Sequence, residues 1–341
     1  MHRRAFLFSA PVFLGALTAG CTEEPMLGQL EPVFDGQDLM AQFQALADSA
    51  APGVLGVAVR DAQTGQTVAF NGDRPFPLQS VFKAPLGAAV LSEVDKGRIR
   101  LDDIVTIRDI DLSPPLSPIA DAWPQRTDYT VAELLEQASG VSDNTAADVL
   151  LKMIGGPGSL TAWLTLKNIP DFRIDRYERQ LQPELAGTAS FRAEWRGQAY
   201  RPIMRAVPEA VRRKAATEYM QGPRDTATPV AAVRFLAALR AGELLSKAST
   251  DRLLAIMTAT QTGPGRLKAA LPEGATLAHK TGTSRTDLGL NTATNDIGVY
   301  TLKDGRQFSV AAFLSGSTAS DADRDAVIAE VGRIVLKAVE T

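Results

Sequence analysis

One cysteine, Cys21, stands in 341 residues, and that scarcity is the first constraint on the fold. A lone thiol excludes any intramolecular disulfide, so the chain must be held by its own core, which its length allows. An excess of positive charge is also missing. With 36 basic and 39 acidic side chains the formal net charge is −3, without the broad basic surplus of a nucleic-acid binder. After the first 20 residues no apolar run is long enough to span a membrane. Internal repeats and low-complexity segments are absent as well. These absences leave an ordinary globular chain.

What is present begins at the N-terminus. Met1-His2-Arg3-Arg4-Ala5-Phe6-Leu7 joins a twin arginine to an apolar stretch, Ala5 to Leu17, too short for a mature spanning helix. Residues 1–20 therefore read as an export signal of Tat type, with the Sec route as the alternative. Leu17-Thr18-Ala19-Gly20-Cys21 resembles a lipoprotein cleavage box with Cys21 as the lipid acceptor, although Thr18 stands where leucine is usual. Ordinary cleavage near Ala19 is the competing reading. Residues 21–36 read as a tether, and the mature protein as exported, periplasmic and, if Cys21 is lipidated, membrane-anchored.

Hydrophobic spacing places a helix over Gln37 to Ala50, with Leu39, Phe43 and Leu46 on one side. Val54 to Arg60 and Thr67 to Phe70 form a predicted hairpin. From Ser80 to about residue 259 the pattern is mainly helical. Strands resume with Thr276 to Lys280, Gly298 to Leu302 and Phe308 to Leu314, the last two joined by a tight turn at Asp304-Gly305. An amphipathic helix over Asp321 to Val339 closes the chain. Strands at both ends and helices between them predict an α/β (α+β) fold of two lobes. One lobe, residues 37–79 and 260–341, carries an antiparallel sheet flanked by helices; the other, residues 80–259, is all-helical. The crevice between them is the expected site.

Three short motifs occur once each, in a fixed order. Ser80-Val81-Phe82-Lys83 puts a serine and a lysine on one helical face, and the apolar run Ala84 to Leu91 behind them argues that the lysine is buried. A serine hydroxyl needs a base before it can act as a nucleophile, and a lysine serves only where its surroundings lower its pKa. Ser142-Asp143-Asn144 and Lys280-Thr281-Gly282-Thr283 follow. On these three motifs the chain resembles the penicilloyl serine hydrolases, β-lactamase/DD-peptidase-like in fold, and within them the class A serine β-lactamases. The resemblance runs from about residue 38 to the C-terminus.

The resemblance implies a role for each motif residue. Ser80 would attack the β-lactam carbonyl to give an acyl-enzyme, and Lys83 would accept or relay its proton. Ser142 would pass a proton to the leaving nitrogen, and Asn144 would touch Lys83 and the substrate amide. Lys280, Thr281 and Thr283 would hold the substrate carboxylate, with Gly282 letting the substrate approach the strand closely. The backbone N–H groups of Ser80 and Thr283 would form the oxyanion hole. Many relatives add an arginine on the next strand. Ala293-Thr294-Asn295-Asp296 holds none, which leaves Arg266 or Arg285 as substitutes; the stretch itself is similar to one found in relatives active on cephalosporins. No metal or cofactor is implied, and the protein reads as a monomer.

Arg173-Ile174-Asp175-Arg176-Tyr177-Glu178 resembles the opening of the class A Ω-loop, which makes Glu178 the base that activates the deacylating water. Glu184, in Pro183-Glu184-Leu185, is the rival. Gln182 falls where relatives often hold asparagine as a second anchor for that water. Arg224 to Pro229 resembles the end of the loop, closed by an Arg176–Asp225 bridge. An insertion over about residues 183–223 separates these partners. It carries Arg192, Arg196, Arg201, Arg205, Arg212, Arg213 and Lys214, and a helix is predicted from Pro208 to Met220. It reads either as a solvated elaboration of the rim or as a lid over the pocket. The activity expected is β-lactam hydrolysis. The alternatives are a penicillin-binding DD-peptidase and a β-lactam sensor or scavenger that acylates and stops. Turnover separates all three.

Overall fold

A computed structural model describes residues 33–339 apart from 114, 190 and 196. The export signal, most of the tether and Cys21 lie outside the described residues, as does Arg196 of the insertion. The chain opens with helix α1 (Gly36–Ser49), whose first turn is capped by Asp35 accepting from the N–H groups of Gln37 and Asp38. Strands β1 (Val54–Asp61) and β2 (Thr67–Phe70) form the hairpin. The longer helices that follow are α2 (Lys83–Asp95), α3 (Asn144–Met153), α4 (Pro157–Leu166), α5 (Glu178–Glu184), α6 (Tyr200–Ala206), α7 (Glu209–Gln221), α8 (Pro229–Arg240) and α9 (Lys247–Ala259). Strands β3 (Thr276–Thr283), β4 (Thr294–Thr301) and β5 (Gln307–Ser315) then lead to the closing helix α10 (Asp321–Ala338).

The sheet has the order β2-β1-β5-β4-β3, antiparallel throughout. The first strand therefore pairs with the last, Val57 opposite Ala312, and the two ends of the chain complete one sheet. Alternation along each strand divides the core in two. Val57 and Val59 of β1, with Val310, Ala312 and Leu314 of β5, face α1 and α10 and pack with Leu39, Phe43, Ile328 and Val335. Ala58, Ala311, Phe313 and Ile297 face the other way, toward α2 and the helical lobe. Each fully buried leucine, isoleucine, valine or phenylalanine contributes roughly 1.5–3 kcal/mol.

Helix α2 lies inside the second core. Its residues from Lys83 to Ser92 are all buried, as expected of a helix that is apolar on every side. That burial carries Lys83 inward with it, and an ammonium so placed needs partners. Ser80 is not in the α-helix itself but in a 3₁₀ turn, Gln79–Phe82, that runs into α2. Residues three apart fall on one side of such a turn, which puts Ser80 on the side of Lys83.

Three two-residue strands, Phe76–Pro77, Thr226–Ala227 and Phe172–Arg173, pair side by side just before the Ser80 turn. They bring the start and the end of the strap around Glu178 together, so the insertion leaves and returns at neighbouring points. Inside it, α7 begins after Pro208 and ends before Gly222, one residue on from the predicted limits. Among the described residues no single helix is long and apolar enough to cross a membrane.

Candidate active site

The three motifs and Glu178 come from four different elements and meet in one place. Lys83, buried at the start of α2, donates to the Ser142 carbonyl at 2.8 Å and to Asn144 Oδ1 at 2.5 Å, and lies 3.2 Å from Glu178 Oε1. Two hydrogen-bond acceptors and one carboxylate thus surround the ammonium. Lys280, equally buried on β3, donates to the Ser142 hydroxyl at 3.0 Å and to the Thr281 carbonyl at 3.0 Å. Ser142 therefore touches both lysines, one through its backbone and one through its side chain. It does so with φ at +68°, a strained value for a residue other than glycine. Ser80 and Ser142 are partly open to solvent and Thr283 is exposed, while Lys83, Lys280 and Glu178 lie behind them. Thr281 is buried and donates to Thr262 Oγ1 at 2.8 Å.

Burial and the charge of Lys83 push the Lys280 ammonium well below the ordinary lysine value. Asp296, buried on the neighbouring strand opposite Thr281, opposes this, and it also contacts His279 Nδ1 at 2.9 Å. His279 thus belongs to the sheet interior behind the site.

Gly282 has a reason different from the one its motif suggested. A Cβ there would stand 2.4 Å from the Leu78 carbonyl oxygen and 3.1 Å from the Val81 nitrogen. The strand needs glycine to abut the turn that carries Ser80, before any substrate arrives. Asn295 on β4 pins the same turn, donating to the carbonyls of Pro77 at 2.8 Å and Leu78 at 3.2 Å. This packing brings the Thr283 and Ser80 backbones to one rim.

Glu178 opens helix α5, and its backbone is held from below. Asp148 on α3 accepts from the N–H of Glu178 at 2.7 Å and of Arg179 at 2.9 Å, and from Ser113 Oγ at 2.5 Å. One helix therefore supplies Asn144 to Lys83 and, a turn later, Asp148 to the Glu178 backbone. Desolvation raises the Asp148 carboxyl to about 7, against its hydrogen-bond donors and with help from the charge of Glu178. Gln182, one turn along α5, donates to Glu178 Oε2 at 2.8 Å, so the glutamine reaches the carboxylate directly. Oε1 has no hydrogen-bond donor among the described residues beyond its ion pair with Lys83.

The rival Glu184 points elsewhere, to Arg176 at 2.6 Å and Arg224 at 3.5 Å. Arg176 also meets Asp225 at 2.6 Å across 49 positions of sequence. Of the two candidate arginines, Arg266 is buried behind the Thr281-Gly282 strand, donating to Asn295 O at 3.0 Å and paired with Asp325 at 2.6 Å. Arg285 is exposed, and its ion pair is with Asp287. Arg212 of α7 pairs with that same Asp287, so the insertion reaches the hairpin that follows β3. Gln79, Asp148 and Asn295 were not singled out by their sequence. Asp148 alone carried a signal, as a lone carboxylate within the apolar run Ala146 to Leu151.

Comparison with known proteins gives the family. A model of the β-lactamase enzyme family matches residues 38–339. The chain is 33% identical to the β-lactamase VEB-1 of Pseudomonas aeruginosa over 82% of its own length and 83% of the relative's. It is 32% identical to the extended-spectrum β-lactamase PER-1 of the same organism, over 82% and 80%. Among solved structures, a β-lactamase from Chitinophaga pinensis superposes with a TM-score of 0.73 at 33% identity, covering 88% of this chain and 99% of that one. A reconstructed class A β-lactamase, the last common ancestor of Gram-negative bacteria, gives 0.71 at 36% identity over 88% and 99%. With a family model matched over residues 38–339 and relatives at 32–36% identity over most of both chains, the chain belongs to the class A serine β-lactamases, which hydrolyse β-lactams.

Proposed function

We propose that hydrolysis runs through an acyl-enzyme on Ser80 that Glu178 resolves. The observation that carries this is the buried contact between Lys83 and Glu178, 3.2 Å apart directly behind the Ser80 turn. In acylation the Ser80 Oγ bonds to the lactam carbonyl carbon while its proton is accepted or relayed by Lys83. The carbonyl oxygen, now negative, is received by the N–H groups of Ser80 and Thr283 at a turn that opens a helix, where partial positive charge accumulates. The C–N bond then breaks, and the nitrogen takes a proton through Ser142, whose hydroxyl is bonded to Lys280.

Deacylation needs a base with a free lone pair. Glu178 Oε1 has one, while Oε2 is fixed by Gln182. A water activated there attacks the ester carbonyl and returns Ser80. Lys280, Thr281 and Thr283 receive the substrate carboxylate, and Arg266 supports the strand that presents them. Cephalosporins are the substrate class that the Thr294-Asn295-Asp296 stretch favours.

The same reading places the mature enzyme outside the cytoplasm as a monomer, anchored through lipidated Cys21. Intact-mass analysis of the mature N-terminus tests the anchor; an unmodified terminus beyond Cys21 overturns it. For the chemistry, a chromogenic cephalosporin is turned over by the wild type and not by Ser80→Ala. A single stoichiometric burst in the wild type would contradict the proposed deacylation.

A further inference from the structure

A chain of buried hydrogen bonds leads from the insertion to the proposed base. Among the described residues of α7, Tyr219 alone is buried. Its hydroxyl accepts from Gln79 Nε2 at 3.0 Å. Gln79 Oε1 accepts from Gln182 Nε2 at 3.1 Å, and the second N–H of that same amide goes to Glu178 Oε2 at 2.8 Å. The donor sense is consistent at every link, and a carboxylate at the end, which can only accept, fixes the orientation of both amides.

Gln79 is the joint in this chain. It is buried, precedes Ser80, and has φ at +46°, a backbone conformation that side chains other than glycine rarely adopt. Such a conformation persists where its surroundings over-determine it. The backbone of the turn is held independently, by Asn295 on Pro77 and Leu78 and by the Leu78 N–H to the Asp225 carbonyl. The Tyr219 hydroxyl is thus free to act on the Gln79 side chain without setting the position of Ser80. The tyrosine ring has a separate contact, with the Arg176 guanidinium 5.7 Å from its centroid.

We propose that Tyr219 is a positioning residue for Glu178, through which the inserted helix holds the deacylation base by way of Gln79 and Gln182. This rests on Glu178 being that base. A helix that merely decorated the rim would have no need to bury its one aromatic hydroxyl against the residue preceding the nucleophile. Losing the link releases Gln79, then Gln182, and lets the carboxylate rotate away from the place a water must occupy. Acylation, which depends on the independently held turn, is spared.

Tyr219→Phe deletes the hydroxyl and keeps the ring on Arg176. Acylation and deacylation rates are measured separately with a cephalosporin, by rapid quench and intact mass. The proposal expects deacylation to slow about three- to tenfold, the worth of one hydrogen bond, with acylation unchanged and acyl-enzyme accumulating at steady state. Unchanged deacylation, or both rates falling together, overturns it. Should Tyr219→Phe lose its cooperative melt, Gln79→Asn answers the same question by the same criteria, since asparagine tolerates positive φ but is too short to bridge. Glu178→Gln runs in parallel. If its adduct turns over as fast as the wild type's, the reading of Glu178 fails; if its adduct persists and Tyr219→Phe deacylates normally, only the link fails.

Discussion

Lys83 Nζ lies 3.2 Å from Glu178 Oε1, and both side chains are shut off from solvent. In water such a pair would be worth little; out of it, each charge depends on the other, because a buried ion left unpaired is costly. Lys83 of the acylating half and Glu178 of the deacylating half therefore share one buried ion pair. Asn144 and Gln182 complete it from either side.

Lys280 gives a pH prediction. Burial and the neighbouring Lys83 charge both disfavour its ammonium, so it loses its proton at a pH well below the ordinary lysine value. Below the lowered pKa the cation is present to hold a substrate carboxylate; above it the cation is gone. The KM of a carboxylate-bearing β-lactam should rise with pH well before the ordinary lysine value is reached in the wild type, and stay flat in Lys280→Arg, which keeps its charge. A wild-type KM that is flat up to the ordinary lysine value would contradict this.

Asp148 gives a stability prediction with the opposite kind of group. Its folded carboxyl titrates at about 7, mainly through desolvation, against 3.8 for an ordinary aspartate. A raised acid binds its proton more tightly in the folded state, so its contribution is complete below about pH 4 and is lost as pH rises through 7. The span corresponds to something on the order of 4 kcal/mol. Urea denaturation at a series of pH values should show stability declining toward neutrality in the wild type, with Asp148→Asn removing that slope. Equal slopes would show that the carboxyl is already ionised in the folded protein throughout.

Gly282→Ala tests the packing of β3 on the nucleophile turn. The added Cβ meets the Leu78 carbonyl at 2.4 Å, and backbone on that side cannot swing away as a side chain would. The Ser80 turn has to shift relative to Thr283, and a displacement near 1 Å costs on the order of a hundredfold in rate. The kcat/KM of a folded Gly282→Ala protein is the measurement. Near-normal activity would mean that the two backbones do not act together.

Much of the architecture was legible before any coordinates. Val57 and Val59 alternate with Ala58, and the run Ala84 to Leu91 could only be a core helix, so the sheet and α2 follow from period and composition. Lys83 was legible because the apolar run behind it makes a lysine unexpected there, and Lys280 through the motif order that carries the resemblance. The roles of Gln79 and Asn295 were not legible, and Asp148 showed only as a carboxylate out of place in an apolar run. Their roles depend on carbonyls and amides up to 218 positions away, which no local pattern encodes. Gly282 has a further requirement that no local pattern shows, since its Cβ would strike the protein's own turn. The insertion read as a basic elaboration of the rim or a lid over the pocket, and only the fold reveals that Tyr219 turns inward.

Arg176→Ala tests how the strap is closed. The guanidinium is buried between Asp225 and Glu184, and its removal leaves Asp225 without its ion pair. Breaking a buried pair on one side costs about 3–5 kcal/mol, so the urea midpoint should fall sharply. A loss below about 1 kcal/mol would mark the bridge as no stronger than a surface pair.

Glu178→Gln tests the central claim most directly. The amide keeps the size of the side chain and its contact with Gln182 but cannot take a proton from water. Mixed with a cephalosporin, the variant should gain the mass of one acyl group on Ser80 and hold it, while turnover collapses. Sustained turnover at the wild-type rate, with no adduct, would contradict the assignment of Glu178 as the deacylation base.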